Sequence, residues 1–453
     1  MIRDYDLKRT KLVLESIAIY RNLLEDKVIS KLYSLINCVD SEKIELSKFM
    51  NLYNDFFFTL AQESKGSLKA HIIDRIIFDE NPYSLLMAKK EASDTTILFE
   101  NAAARDLENL QLVSNTTSLD IKAYIKTYFN GSEFEIKIID GLPEWKTEDE
   151  FNEEYDNYSI HIKEIKEEFY KSNNWSEGIQ SLREFYKNKS CGIFARYRAF
   201  IWQPDAKGKS FRGIEKPDAI TLSELMGYEA ERARVIENTL QFLKGFPANN
   251  ALFYGDRGTG KSSTVKALLN EYYSQGLRMI EVPKTYLTDF PLIISLLKNR
   301  PEKFIIFVDD LAFEESGENY NALKAVLEGG LENRPNNVLI YATSNRRHLV
   351  KESFKDRAGL QSNNQDDEVR AADNIQEKLS LSDRFGITVT FAAPSQNKYL
   401  QIVEGIAEKR NLKFDKEKLY QEALKWQMRY NGRSPRTAKQ FIDWVEGSQG
   451  LGE

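Results

Sequence analysis

Residues 251–273 read ALFYGDRGTGKSSTVKALLNEYY, and the fold of this chain turns on them. Ala251–Tyr254 form a short apolar run that predicts a buried strand. Ser262–Tyr273 place apolar residues at helical spacing. Between them, Gly255, Asp256, Arg257, Gly258, Thr259, Gly260, Lys261 and Ser262 give a full match to GxxxxGK[ST] in strand–loop–helix order. Glycines let such a loop bend so that successive N–H groups converge on phosphate oxygens. The helix that follows adds partial positive charge at its first turn, where Ser263 stands. Lys261 would neutralise β- and γ-phosphates, and the Ser262 hydroxyl would ligate Mg²⁺. The signal predicts a nucleotide site with ATP and Mg²⁺ as its ligands.

About fifty residues on, Phe304-Ile-Ile-Phe-Val-Asp309-Asp310 reads as a buried strand ending in two acids. Asp309 suits the shell of the metal, and Asp310 suits polarisation of an attacking water. Glu314, four residues further, is the alternative base. A third strand, VLIYATS (338–344), ends at Asn345, whose amide would face the γ-phosphate and the water. Further strands are expected at RMIEV (278–282) and ITVTFA (387–392). Strands alternating with helical patterns predict a parallel sheet covered by helices.

Working outward, the stretch QPDAKGKSFRGIEKPDA (203–219) is polar and carries Gly and Pro, so it reads as a linker. This gives a mostly helical N-terminal region over 1–205, a P-loop α/β domain over 206–395 and C-terminal helices over 396–453. The segment from Leu7 to Ile36 places apolar residues at helical spacings with charges between them, and FDENPYS reads as a turn with Asn81-Pro82 as its breaker. Residues 359–374 are polar and read as a long loop.

Composition bounds the class. The chain has 453 residues, a formal net charge of −6 and only two cysteines, Cys38 and Cys191. It is too long to need disulfide staples, and its cysteines and three histidines have no metal-ligand spacing. No apolar run approaches the roughly 20 residues that cross a bilayer, so no membrane association and a cytoplasmic location are expected. Residues 131–170 hold 4 basic and 13 acidic side chains, whereas residues 401–440 hold 10 basic and 5 acidic. Both read as solvated helix faces. Nucleic-acid binding is possible on the basic segment but not favoured by the overall acidity.

The set of motifs resembles the AAA+ ATPases, within the P-loop NTPase superfamily. It is most similar to a bacterial AAA+ family of predicted ATP-binding proteins with a domain of unknown function. The phrases that carry this are FPANNALFYGDRGTGKSSTVKALLNEY, VDDLAFE, LEGGLENRPNNVLIYATSNRRHL, EKLSLSDRFG and GRSPRTAKQFIDW. The resemblance implies a P-loop AAA+ parallel-sheet core with a helical lid. It also implies that Arg384, in LSLSDRFG, acts as an arginine finger on a neighbouring subunit's γ-phosphate, and hence a homo-oligomer. In the lid, Arg436 resembles the second sensor, with Arg433 as the alternative. Gly227 and Tyr228 fall where such proteins cover the adenine ring. Asp310 departs from the more usual Glu, and no aromatic-Gly pore loop stands in the expected place.

The expected activity is therefore an AAA+ ATPase that hydrolyses ATP with Mg²⁺ to drive a conformational change on an unknown protein client. Asp310, Asn345 and Arg384 are the catalytic candidates. Two other readings stay open: an ATP-dependent switch or scaffold with little hydrolysis, and a DNA-remodelling or loader-type AAA+ protein.

Overall fold

A computed structural model describes residues 7–40, 45–89, 95–129, 131–146, 160–205, 208–311, 318–328, 335–345, 384–430 and 432–450. The chain forms two compact units, Met1–Arg196 and Tyr197–Glu453.

The first unit is helical among its described residues, around a core that includes Tyr53, Phe56, Trp145 and Trp175. The helical patterning over 7–36 is divided among separate elements. Leu7–Glu15 and Lys27–Val39 are α-helices, and a 3₁₀ turn spans Arg21–Glu25 between them. The interruption has a physical cause elsewhere in the chain. The buried Asp106 carboxylate accepts hydrogen bonds from the amides of Ala18, Ile19 and Tyr20, at 2.6–3.1 Å. Those amides are thereby satisfied outside a helix. Asn81 marks a helix start rather than a plain turn: its side chain accepts from the Ser84 amide, and Pro82 opens the helix Pro82–Ala88.

The second unit is built on a seven-stranded sheet. Its strands are β1 (Ala199–Asp205), β2 (Gly208–Gly213), β3 (Ala251–Gly255), β4 (Leu277–Glu281), β5 (Lys303–Val308), β6 (Val338–Ser344) and β7 (Ile387–Phe391). Their order is β2-β1-β4-β5-β6-β3-β7, with β2 antiparallel and the rest parallel. This is the mostly parallel sheet core expected from the sequence, in a chain whose N-terminal region is helical among its described residues.

The stretch read as a linker is in part a β-hairpin. Residues 203–205 end β1, and 208–213 form β2, so the unit begins at Tyr197. Pro204 is tolerated because β1 is flanked by β4 only over Ala199–Ile201; beyond that it pairs with β2 alone. The buried Trp202 holds the hairpin in place. Its indole N–H donates to Asp289 at 2.8 Å, and its ring lies 4.9 Å from that of Phe211.

β3 lies between β6 and β7, although the chain next builds β4 two strands beyond β6. The connections from β3 and its neighbours therefore diverge, which opens a crevice at the carboxyl end of β3. One face of that region is sealed by the aromatic contacts Tyr228–Phe391, Phe391–Phe253 and Phe253–Tyr341. The helix Glu229–Leu243 is pinned to this face by Asn238 and Thr239, both bonded to the Tyr341 hydroxyl. The C-terminal helices Gln396–Lys409, Lys416–Arg429 and Pro435–Gly450 pack in the same core through Tyr399, Ala423 and Phe441.

The Asp106 clasp gives a direct test of the first unit. In Asp106→Ala, three backbone amides lose their shared acceptor, at about 1–3 kcal/mol for each one left buried. We expect a loss of about 3 kcal/mol or more in chemical denaturation of this unit. Asp106→Asn, which keeps one acceptor oxygen, should lose less.

Candidate nucleotide site

The crevice at the end of β3 is a cavity of about 910 Å³. Its floor is the loop Arg257–Ser263 and the first turn of the helix Lys261–Tyr272. The loop's shape depends on left-handed backbone at Gly258 and Gly260, with φ of 76° and 93°. Gly255, φ 136°, has no room for a side chain, because a Cβ would stand 2.1 Å from the Phe391 carbonyl oxygen. Gly255 and Asp256 lie behind the loop and do not line the cavity.

Lys261 is 6% exposed, and its ammonium is held from three sides. It donates to the carbonyl oxygens of Gly255 (2.9 Å) and Asp256 (2.6 Å) and to Asn345 Oδ1 (3.0 Å). Burial draws its pKa below the ordinary lysine range, against the opposing pull of Asp256, Asp310 and Asp309.

The two acids after β5 have different surroundings. Asp309 Oδ1 accepts from Ser262 Oγ (2.6 Å), Thr343 Oγ1 (2.5 Å) and the Asp310 amide (3.1 Å). Asp310 takes left-handed backbone, φ 51°, which turns the chain directly after the strand. Its carboxylate is exposed and bridges two groups: Asn345 Nδ2 donates to Oδ1 at 2.6 Å, and Lys284 Nζ pairs with Oδ2 at 3.2 Å. Asn345 thus joins Lys261 to Asp310 through the two ends of one amide. Ser262 Oγ and Asp309 Oδ1 make a pair of hard oxygen ligands beside the loop, a donor set that fits Mg²⁺.

The remaining walls suit a nucleoside. Ile220, Leu225, Met226, Ile402 and Ile406 form an apolar end. Arg232 fixes the shape of this end by donating to the carbonyl oxygens of Gly227 and Leu225. Tyr228 itself is buried against Phe391 and donates to the Ala392 carbonyl, so it supports the sheet and does not line the cavity. Arg257, Lys409, Arg410, Arg436 and Lys439 add basic side chains to the lining, Arg410 being paired with Asp443 and Glu446. Of the two lid candidates, Arg436 lines the cavity and Arg433 does not.

Arg384 is not brought to this cavity. It lies three residues before β7, and β7 runs parallel to β3 with Ile387 opposite Ala251 and Phe391 opposite Gly255. The loop leaves β3 at the far end, about 13 Å of strand away from Ile387. Glu314, Asp383 and the segment 359–374 lie outside the described residues.

Lys284, Thr343 and Arg232 are site residues that the sequence did not single out. Only Thr343 carried a signal, since it stands two residues before Asn345 and so shares its face of β6. Among the described residues, no cluster of three or more His, Cys, Asp or Glu could hold a metal, and no helix is long and apolar enough to cross a membrane.

No curated protein matches the chain in sequence. Among solved structures, it is similar to an alanine-to-serine mutant of RuvB from Thermotoga maritima, at 14% identity and a TM-score of 0.36, over 51% of this chain and 66% of that one. An arginine-to-alanine mutant of the same RuvB gives 14%, 0.33, 48% and 61%. The Thermotoga maritima RuvB Holliday junction branch migration motor gives 12%, 0.31, 49% and 71%. The chain thus spans about two thirds of the length of these structures. A family model matches residues 195–449, more than half of the chain, and the protein belongs to that family, whose description is Protein of unknown function (DUF815).

Proposed function

We propose that this protein binds ATP at the loop Gly255–Ser262 and hydrolyses it with Mg²⁺, as an AAA+ ATPase. The observation that carries the reading is the convergence of Lys261, Ser262, Asp309, Asp310 and Asn345 on one cavity, from three separate stretches of sequence. The amides of Gly258–Ser262 and the Lys261 ammonium would hold the phosphates. The apolar end at Leu225, Met226 and Ile402 would cover the base. Mg²⁺, held by Ser262 and Asp309, would supply positive charge at the β- and γ-phosphates.

Asp310 serves as the base that accepts a proton from water, and Asn345 orients that water. In the structure, the exposed Asp310 carboxylate is bridged to Lys284 and Asn345, and both contacts compete with a catalytic water for its oxygens. This pairing favours a site that binds first and hydrolyses on a second signal. It is also what a nucleotide switch with slow turnover would show.

Arg384, set away from its own cavity, would act on a neighbouring subunit, which makes a homo-oligomer the working form. Arg436 would contact the phosphates from the start of the C-terminal helix, which then serves as part of a lid. The client, a protein of unknown identity, would respond to the lid or to the subunit contacts. The location proposed is the cytoplasm.

Two measurements test this. Lys261→Ala should weaken binding of a fluorescent ATP analogue by about 100-fold, the loss of charge-assisted hydrogen bonds. Asp310→Asn should retain binding and lower steady-state phosphate release by about 100-fold or more. Unchanged turnover in Asp310→Asn removes that residue from the base role.

The role of Arg384 can be read by mixing. Lys261→Ala and Arg384→Ala proteins should each be inactive alone, the first for lack of bound nucleotide and the second for lack of the arginine. Combined, they should recover part of the wild-type rate at sites pairing an intact Lys261 with a neighbour's intact Arg384. Absence of recovery, with oligomers present by light scattering, counts against action in trans.

A further inference from the structure

Asp256 occupies a variable position of the phosphate-loop motif, yet every polar group it has is engaged. Its amide donates to the Phe391 carbonyl at 3.0 Å. Its carboxylate accepts from the Ala393 amide at 2.6 Å. Its own carbonyl accepts from Lys261 Nζ at 2.6 Å and from Thr259 Oγ1 at 2.8 Å. One residue therefore joins the lysine of the loop to residues 391–393, the connector between β7 and the first C-terminal helix.

That connector is otherwise tightly held. The Ala392 carbonyl accepts from the Tyr228 hydroxyl at 2.5 Å, and Lys398 of the following helix stands 4.0 Å over the Tyr228 ring. Ser395 caps that helix, so a movement of Ala393 is carried into its first turn. A second link joins the same two parts: the Arg436 amide donates to the Gly258 carbonyl at 3.1 Å.

We propose that Asp256 is a positioning residue that couples the state of Lys261 to the C-terminal helices. The proposal rests on the reading of this loop as a nucleotide site. A phosphate group competes for the Lys261 ammonium and draws it from the Asp256 carbonyl. That carbonyl shares a Cα with the carboxylate bound to Ala393, so freeing it alters the torsion that sets the carboxylate. Loading of the cavity is then felt at the connector without any contact between nucleotide and residues 391–393.

The test is backbone hydrogen–deuterium exchange of the full chain, with and without a non-hydrolysable ATP analogue and Mg²⁺. Each variant is compared at saturation after its own affinity has been measured. In the wild type, nucleotide should change exchange by about tenfold in peptides covering 391–400, as well as in the phosphate loop. Asp256→Ala should keep the loop response and lose the one at 391–400. Asp256→Asn, whose amide oxygen still accepts from Ala393, should restore it. Ala393→Pro removes the donor and leaves the loop intact, so it carries the test if Asp256→Ala does not fold, and it should also lose the response. A wild-type response at 391–400 in either Asp256→Ala or Ala393→Pro overturns the coupling while leaving the nucleotide site standing. Absence of nucleotide binding in the wild type overturns both.

Discussion

A buried ammonium ion sets the terms for everything around it. Lys261 is almost wholly removed from solvent, and a cation in that position must be matched by oxygen atoms on all sides. The protein supplies two loop carbonyls and the Asn345 amide oxygen. None of these carries a formal charge. The site therefore holds a cation compensated by dipoles alone at short range, with carboxylates further out. On the proposed reading, phosphate oxygens, which carry formal charge, would satisfy such a cation better than its present neutral partners.

The division between the two acids follows from the same economy of hydrogen bonds. Asp309 accepts on one oxygen from two hydroxyls and one amide, an arrangement that fixes its direction. The carboxylate of Asp310, one residue on and in left-handed backbone, is held instead by the side chains of Lys284 and Asn345. A fixed anion suits a metal; an anion held by two displaceable side chains suits proton transfer. On the proposed reading, adjacent and chemically identical residues would take separate tasks because of what the fold places against each.

How far the sequence revealed this depended on whether the signal was local. β3 and β6 are legible because they are uninterrupted apolar runs ending in polar motifs, and their observed ends agree with the reading. β1 and β2 were not, because Pro204, Gly208 and the nearby lysines resemble a linker. The opposing evidence, Phe200 and Trp202 alternating on one face, is only two residues long. Lys284 lies 26 residues from Asp310, and nothing in its own neighbourhood announces the pairing. The break in the first helical stretch had its cause in Asp106, more than eighty residues away. Tyr228 could be read either way: an aromatic beside a base pocket and an aromatic beneath a sheet have the same sequence appearance, and here the ring packs on Phe391.

The loop Gly255–Ser262 also bears the imprint of the C-terminal helices. Gly258 is not one of the glycines that GxxxxGK[ST] requires, yet a side chain there would meet Ser434 Oγ at 2.9 Å and Arg436 Cβ at 3.2 Å. Its left-handed backbone and its missing Cβ allow the start of the helix Pro435–Gly450 to approach until the Arg436 amide reaches the Gly258 carbonyl. The same approach brings Arg436 to the cavity wall and leaves Arg433 outside it. Loop and helix are therefore shaped to each other, and a change in either is constrained by the other. A phosphate-binding loop needs no such neighbour in order to bind phosphate. Contact this close makes structural sense where the position of the helix is to depend on what the loop holds.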